Sequence, residues 1–240
     1  MTSLNLALLT SSEKRELLSL LEEQSRRKAG RKLFDVYPET GPLRRELYPK
    51  HMSFFAAGLQ HMERAAMAAN RVGKSFGIGG YETALHLTGL YPDWWVGRRF
   101  NHPVDWWAAG DTLTTTRDIV QLILLGPVGQ WGEGLIPRDC LIGNPTMRAG
   151  VTGGIDFARI KHASGGSSVI GFKAYDQGRK TFQGTAKHGI WLDEEPDEGI
   201  YDECLIRLAT TNGMLLCTFT PMLGLSKVAL KFMPHLAPDA

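Results

Sequence analysis

Residues 68–75 read Ala-Ala-Asn-Arg-Val-Gly-Lys-Ser, and no other stretch of this 240-residue chain restricts its fold so tightly. Glycine, lysine and a hydroxyl residue in succession end a phosphate-binding loop. Backbone N–H groups wrap the phosphates, the ammonium meets the β/γ charge and the hydroxyl holds Mg²⁺. Such a loop works between a buried strand and the N-terminus of a helix. The small apolar run 65–69 suits the strand. Residues 76–90 suit the helix, closed at Thr88-Gly89 with Pro92 beyond. The sequence therefore predicts a nucleoside triphosphate site with Asn70, Arg71, Val72, Gly73, Lys74, Ser75 and Phe76 as ligand-binding residues. Ser75 is the expected metal ligand. Arg71 can fork onto phosphate oxygens or switch between phosphate and carboxylate partners. Ala68 stands where glycine usually opens the loop, which is tolerable with an ordinary backbone and harmful if φ must be positive.

A phosphate loop needs an acid to complete its metal site. Residues 189–195, Gly-Ile-Trp-Leu-Asp-Glu-Glu, supply one at the end of an apolar run. A buried strand ending in a carboxylate sets it at the C-terminal sheet edge, where open α/β sheets bind ligands. Asp193 is the expected metal residue, and Glu194 the group that polarises the attacking water. Glu195, Asp197 and Glu198 read as a solvated acidic loop. Residues 215–221, Leu-Leu-Cys-Thr-Phe-Thr-Pro, form a β-rich run ending in hydroxyls at the same edge. Thr218 and Thr220 there are candidates to sense the γ-phosphate or orient water.

Strand and helix patterns alternate from residue 65 onward, with a second unit at 104–109 and 114–125 and further short strands at 168–175, 188–192 and 214–219. This alternation implies an α/β fold with a mostly parallel sheet covered on both faces. Residues 129–166 are glycine-rich and poorly periodic, and read as an insertion or long loop. Before the core, Thr10-Ser11-Ser12-Glu13 forms a capping box for an amphipathic helix ending near Gly30, and residues 44–60 are again helical in composition. The basic run at 26–28 with Arg31 and Lys32 reads as a solvated helix face. Gly77, Gly79 and Gly80 inside the first turns of the loop helix are explained by close packing on the sheet.

Composition narrows the class. With 27 Lys+Arg against 25 Asp+Glu and 43% hydrophobic residues, this is no wholesale nucleic-acid coat, though a local basic face is compatible. Cys140, Cys204 and Cys217 are odd in number and far apart, as reduced thiols would be. The longest mostly apolar stretch, 213–225, carries two threonines and a proline. Neither a signal peptide nor a membrane span is expected.

Taken together, residues 67–76, 191–196 and 218–221 resemble the ATPase domain of large terminase subunits, the genome-packaging motors of tailed bacteriophages. The likeness runs over about residues 45–230 and extends to residues 49–55 as the adenine-side segment, to Glu63-Arg64, and to 175–179 with 182–184. It implies a P-loop NTPase (ASCE/RecA-like) with a mostly parallel sheet flanked by helices and an N-terminal helical segment. In that class an additional strand lies between the two phosphate-site strands, and a catalytic glutamate follows the metal aspartate. The resemblance divides the chain into residues 1–60, helical segment and adenine-side motif, and 61–240, ATPase core, with the family's nuclease domain absent and no DNA cleavage expected. Carried over, Lys74, Ser75 and Asp193 bind phosphate and Mg²⁺, Glu194 is the base, and Thr218 and Thr220 couple hydrolysis to movement. Arg71 senses the γ-phosphate, and Arg179 is a candidate for reaching a neighbouring subunit's nucleotide. Pro49 and His51 mark the adenine side, His51 standing where the family usually has glutamine. Implied ligands are ATP and Mg²⁺. Implied partners are double-stranded DNA, the portal protein, the small terminase subunit and further copies in a ring on the capsid, in host cytoplasm and with no membrane. A helicase-like remodelling ATPase and a nucleotide-binding assembly module with little hydrolysis are the competing expectations.

Overall fold

Strands buried on both faces need apolar side chains in both directions, and the chain supplies them at three places. The fold is a computed structural model that describes residues 10, 13–19, 31–222, 224, 226–233 and 236. Its elements in order are α1 (Pro49–Ala57), β1 (Glu63–Met67), α2 (Lys74–Gly80 continuing as Tyr81–Thr88), β2 (Asp105–Gly110) and α3 (Leu113–Thr115 through Thr116–Gln121 to Leu122–Leu125). Then come β3 (Thr146–Met147), β4 (Ile155–Lys161), β5 (Ser167–Ala174), β6 (Gly189–Asp193), α4 (Glu198–Ala209), β7 (Met214–Phe219) and α5 (Lys227–Phe232). They build one seven-stranded sheet in the order β1-β7-β6-β2-β5-β4-β3. The first five strands in that order are parallel, while β4 is antiparallel to β5 and β3 antiparallel to β4.

The expected additional strand is there: β7 lies between the loop strand β1 and the acid-bearing strand β6. Its register pairs Thr218 with Ala66 on one side and with Asp193 on the other. The pleat sends Trp106, Trp191 and Leu216 into one core with Tyr81, Leu85 and Leu124 of α2 and α3. Ile190, Leu192, Cys217 and Phe219 enter a second core with Ile200, Tyr201 and Cys204 of α4. Trp191, Asp193 and Thr218 thus share the face that carries α2.

The expectation of a long loop over 129–166 is corrected. Ile155, Ala158 and Ile160 are buried, and β4 extends the main sheet. Glycines at 143, 150, 153, 154, 165 and 166 surround this strand and dilute its alternation. The solvated-loop reading of 195–198 is corrected too. Asp197 caps α4 by accepting from the Ile200 N–H at 2.9 Å, Glu198 pairs with Lys227 at 2.9 Å, and Glu195 bonds Ser226. At the other end, Thr10 and Glu13 exchange the capping-box bonds. Residues 20–30, including the basic run, lie outside the described residues. Arg31 pairs with Asp139. The three cysteines are free and buried.

Candidate active site

β1 delivers the chain to the C-terminal edge of the sheet, and residues 68–73 turn it into α2. Gly73 takes φ 85° and Arg71 φ 65°, both left-handed, whereas Ala68 is not among the residues with positive φ. The alanine therefore costs the turn nothing sterically, which settles the question its presence raises. α2 opens with a wide π-type turn over Lys74–Gly80, a feature that favours functional sites. Close packing explains its glycines. A Cβ on Gly79 would fall 2.1 Å from Trp191 Nε1, and one on Gly77 would fall 2.5 Å from the Tyr37 hydroxyl.

Lys74 is only 7% exposed. Its ammonium donates to the carbonyls of Ala68 (2.9 Å) and Ala69 (2.8 Å) and to Thr220 Oγ1 (2.8 Å). Thr220 Oγ1 in turn lies 2.8 Å from both the Ala68 carbonyl and Asn70 Oδ1. The lysine, the loop and the end of β7 are thereby tied into one unit, with Thr220 in direct contact with the loop lysine.

Asp193 is 2% exposed at the end of β6. Thr218 Oγ1 donates to its Oδ1 at 2.7 Å, and Trp191 Nε1 donates to Thr218 Oγ1 at 2.7 Å. Burial raises the Asp193 carboxyl to about 6, opposed by hydrogen bonds from Thr218 and Ser75. Ser75 and Asp193 thus meet across α2 and β6. Glu194 behaves differently one residue later. It takes φ 63°, its N–H donates to the Thr218 carbonyl at 3.0 Å, and its side chain is exposed. The left-handed turn ends the pleat, so two successive acids occupy opposite environments. Tyr175 braces this turn, its hydroxyl lying 2.9 Å from the Asp193 carbonyl and 3.1 Å from that of Glu194. Left-handed non-glycine residues cost of order 1–2 kcal/mol each and cluster at functional sites. Two of the four among the described residues are Arg71 in the loop after β1 and Glu194 in the turn after β6.

Beside Gly73 opens a cavity of about 130 Å³ walled by Val36, Tyr37, Leu43, Tyr48, His51 and Phe76. His51 Nδ1 is 2.5 Å from the Tyr37 hydroxyl, which is also 2.8 Å from the Gly77 carbonyl. Burial lowers the His51 pKa, opposed by a bond to the Val72 backbone. Such an aromatic, narrow cavity suits a planar base. Pro49 is exposed at the first position of α1 and does not line it. Tyr48, one residue before, does.

The structure brings together Asn70, Arg71, Val72, Gly73, Lys74, Ser75, Phe76, Asp193, Glu194, Thr218, Thr220 and His51. Arg179 is not brought to this site. It is paired with Glu203 of α4 at 3.0 Å and remains 55% exposed. Sequence reasoning missed Trp191, Tyr175, Tyr37 and Tyr48 as supports of the site, because their partners are distant in the chain. Ser75 and Asp193 offer two hard oxygens, a set that fits Mg²⁺ completing its shell with phosphate and water. Among the described residues, no group of three or more His, Cys, Asp or Glu side chains could hold a metal by itself.

Residues 65–233 match the family model for the terminase large subunit, T4likevirus-type, N-terminal. The large terminase subunit of Salmonella phage P22 is 36% identical over 253 residues, covering 95% of this chain and 47% of that protein. Two structures of the large terminase from a thermophilic bacteriophage, one of them in complex with ADP, align with TM-scores of 0.48 and 0.47 at 10% and 11% identity. They cover 79% of this chain and 49% of those chains. The chain thus spans about half the length of the relatives it matches.

Proposed function

Because this chain belongs to the terminase large subunit family, we propose that it is the ATP-hydrolysing motor part of a viral DNA-packaging terminase. The observation that carries the reading is the junction of Ser75, Asp193 and Thr218 beside Lys74, with the exposed Glu194 one residue on.

In this reading the adenine enters the cavity between Tyr48 and Phe76, and the phosphates lie over the loop at 68–75. Lys74 exchanges its carbonyl partners for the β/γ-phosphates, and Arg71 lies against the γ-phosphate. Ser75 and Asp193 would hold Mg²⁺, which supplies charge neutralisation when bound. Glu194 accepts a proton from the water that attacks the γ-phosphate, and its exposure leaves it room to do so. Thr220 loses its lysine partner when Lys74 turns to phosphate, so nucleotide occupancy is transmitted to the end of β7. Arg179 is held in the same chain by Glu203, and reaching a neighbour's nucleotide would require release of that pair. DNA translocation into a capsid, the portal protein, the small subunit, ring assembly and a host-cytoplasmic setting belong to the same proposal. Among the described residues, no helix is long and apolar enough to cross a membrane.

The test is phosphate release by the purified chain with ATP and Mg²⁺, measured against protein concentration. Lys74→Ala is expected to abolish it. Equal release by wild type and Lys74→Ala, or none by wild type at any concentration, would overturn the reading.

A further inference from the structure

Strands β4 and β5 are clothed on one side only, save where Thr181 and Phe182 cover Lys173 at the end of β5. The helices that pack on them, α2 and α3, lie on the side where Ala158, Ile160, Ile170 and Phe172 are buried. The opposite pleat carries Phe157, Arg159 and Lys161 of β4, all exposed, beside Ser167, Val169, Gly171 and Lys173 of β5, all half-buried. Register sets Lys161 beside Ser167, Arg159 beside Val169 and Phe157 beside Gly171. From Lys161 to the level of Lys173 this stripe is about 20 Å long at ~3.3 Å per residue.

The charge on this face is one-sided. Among the described residues, neither Arg159 nor Lys161 is in an ion pair. Lys173 Nζ sits 4.4 Å above the Trp107 ring, and Lys187 Nζ approaches the same ring at 4.9 Å. The acids at the margin are already neutralised, Asp105 by Lys187 and Asp156 by Arg148, each at 2.6 Å. Arg159 and Lys161 are left uncompensated on rigid strands, and Lys173, whose ammonium donates to the Thr181 carbonyl, extends the positive charge along the stripe. About 20 Å of duplex axis carries roughly six phosphates per strand, so such a row follows a backbone. Trp107 is only 7% exposed, and Phe157 alone offers too little ring surface to stack successive unpaired bases. Phosphate contact with a duplex is favoured over base contact with a single strand.

We infer that the open face of β4 and β5 is a docking surface for the phosphate backbone of double-stranded DNA. The identity of this polyanion rests on the motor reading, but the test is read independently of nucleotide hydrolysis. Binding of a fluorescein-labelled duplex to the full chain is followed by anisotropy across a salt series. In Arg159→Gln/Lys161→Gln, the slope of log affinity against log salt should become shallower by about 1.8, from ~0.9 per phosphate contact. DNA-free phosphate release should not change. Lys14→Gln/Lys32→Gln, removing two charges elsewhere, should keep the wild-type slope. An unchanged slope in the first variant, an equal change in the second, or competition by polyglutamate as effective as that by duplex would overturn the inference. The last result would assign the face to an acidic protein. A chain that releases no phosphate but shows the expected slopes would remove the motor reading and leave the surface in place.

Discussion

Thr218→Val tests the hydrogen-bonded row at the centre of the site. The substitution keeps the shape of a side chain that is 1% exposed and removes only its hydroxyl. Two bonds disappear, the 2.7 Å bond to Asp193 Oδ1 and the 2.7 Å bond from Trp191 Nε1. With a pKa of about 6, Asp193 is ionised at pH 7.5, so the first bond is charge-assisted and worth about 1.5–3 kcal/mol. The second leaves a buried indole N–H unpaired at a cost of about 1–3 kcal/mol. The greater apolarity of valine offsets part of this, giving a net loss of about 3 kcal/mol. At roughly 2.1 cal/mol/K per residue, the unfolding entropy of a chain this size turns that loss into a Tm lower by about 6 °C. Urea unfolding of the nucleotide-free chain at pH 7.5, with calorimetry alongside, measures it. Thr218→Ser keeps the hydroxyl and should stay within about 1 kcal/mol of wild type, the value of one buried methyl group. If Thr218→Val unfolds within about 0.5 kcal/mol of wild type, the hydroxyl does not hold Asp193 and the row has no energetic role.

Further predictions concern the loop and its scaffold. Arg64 and Glu82 form a buried pair at 2.7 Å joining β1 to α2, with His86 Nε2 at 3.2 Å from the same carboxylate. Glu82→Gln should destabilise the chain by about 3–5 kcal/mol in urea unfolding, since it strands the guanidinium. Burial pushes the Glu82 pKa up, but Arg64 and His86 outweigh it and leave the net shift downward. The folded pKa therefore lies below the unfolded one. The associated stability is present above about pH 4.3 and lost as pH falls through the folded pKa, and Glu82→Gln should flatten that part of the pH–stability curve. Arg71→Gly should leave stability within about 0.5 kcal/mol of wild type, because relief of left-handed strain offsets the added unfolded-state entropy. Phosphate release should nevertheless fall, and retained activity would remove Arg71 from the site.

Legibility followed the range of the interactions. The loop at 68–75, the acids at 193–194 and the hydroxyls at 218 and 220 were readable because each motif is local and each follows a strand, buried for β6 and β7 but a half-buried edge strand, not the buried one expected, for β1. Even the position of β7 between β1 and β6 came with the family likeness. What Ala68 would do was not readable, since its φ depends on the whole turn. β4 was hidden by flanking glycines that weaken a period-2 signal. Asp197 was hidden in an acidic run, where a helix cap and a solvated carboxylate look alike. Trp191 and Tyr175 support the site through Thr218 and through the carbonyls of Asp193 and Glu194, contacts that exist only once the sheet has formed. Pro49 shows the reverse error, a residue within a recognisable segment whose neighbour Tyr48 lines the cavity.

In the proposed motor, Glu194 activates water while Lys74 meets the phosphates and Ser75 and Asp193 would hold Mg²⁺. Glu194→Gln keeps the size and the exposed position of that side chain and removes its basicity. Measured together on the same preparation, ATP affinity should match wild type, and single-turnover phosphate release should fall at least ~100-fold, the scale of a lost general base. Release at the wild-type rate, with ATP bound equally well, would contradict the account.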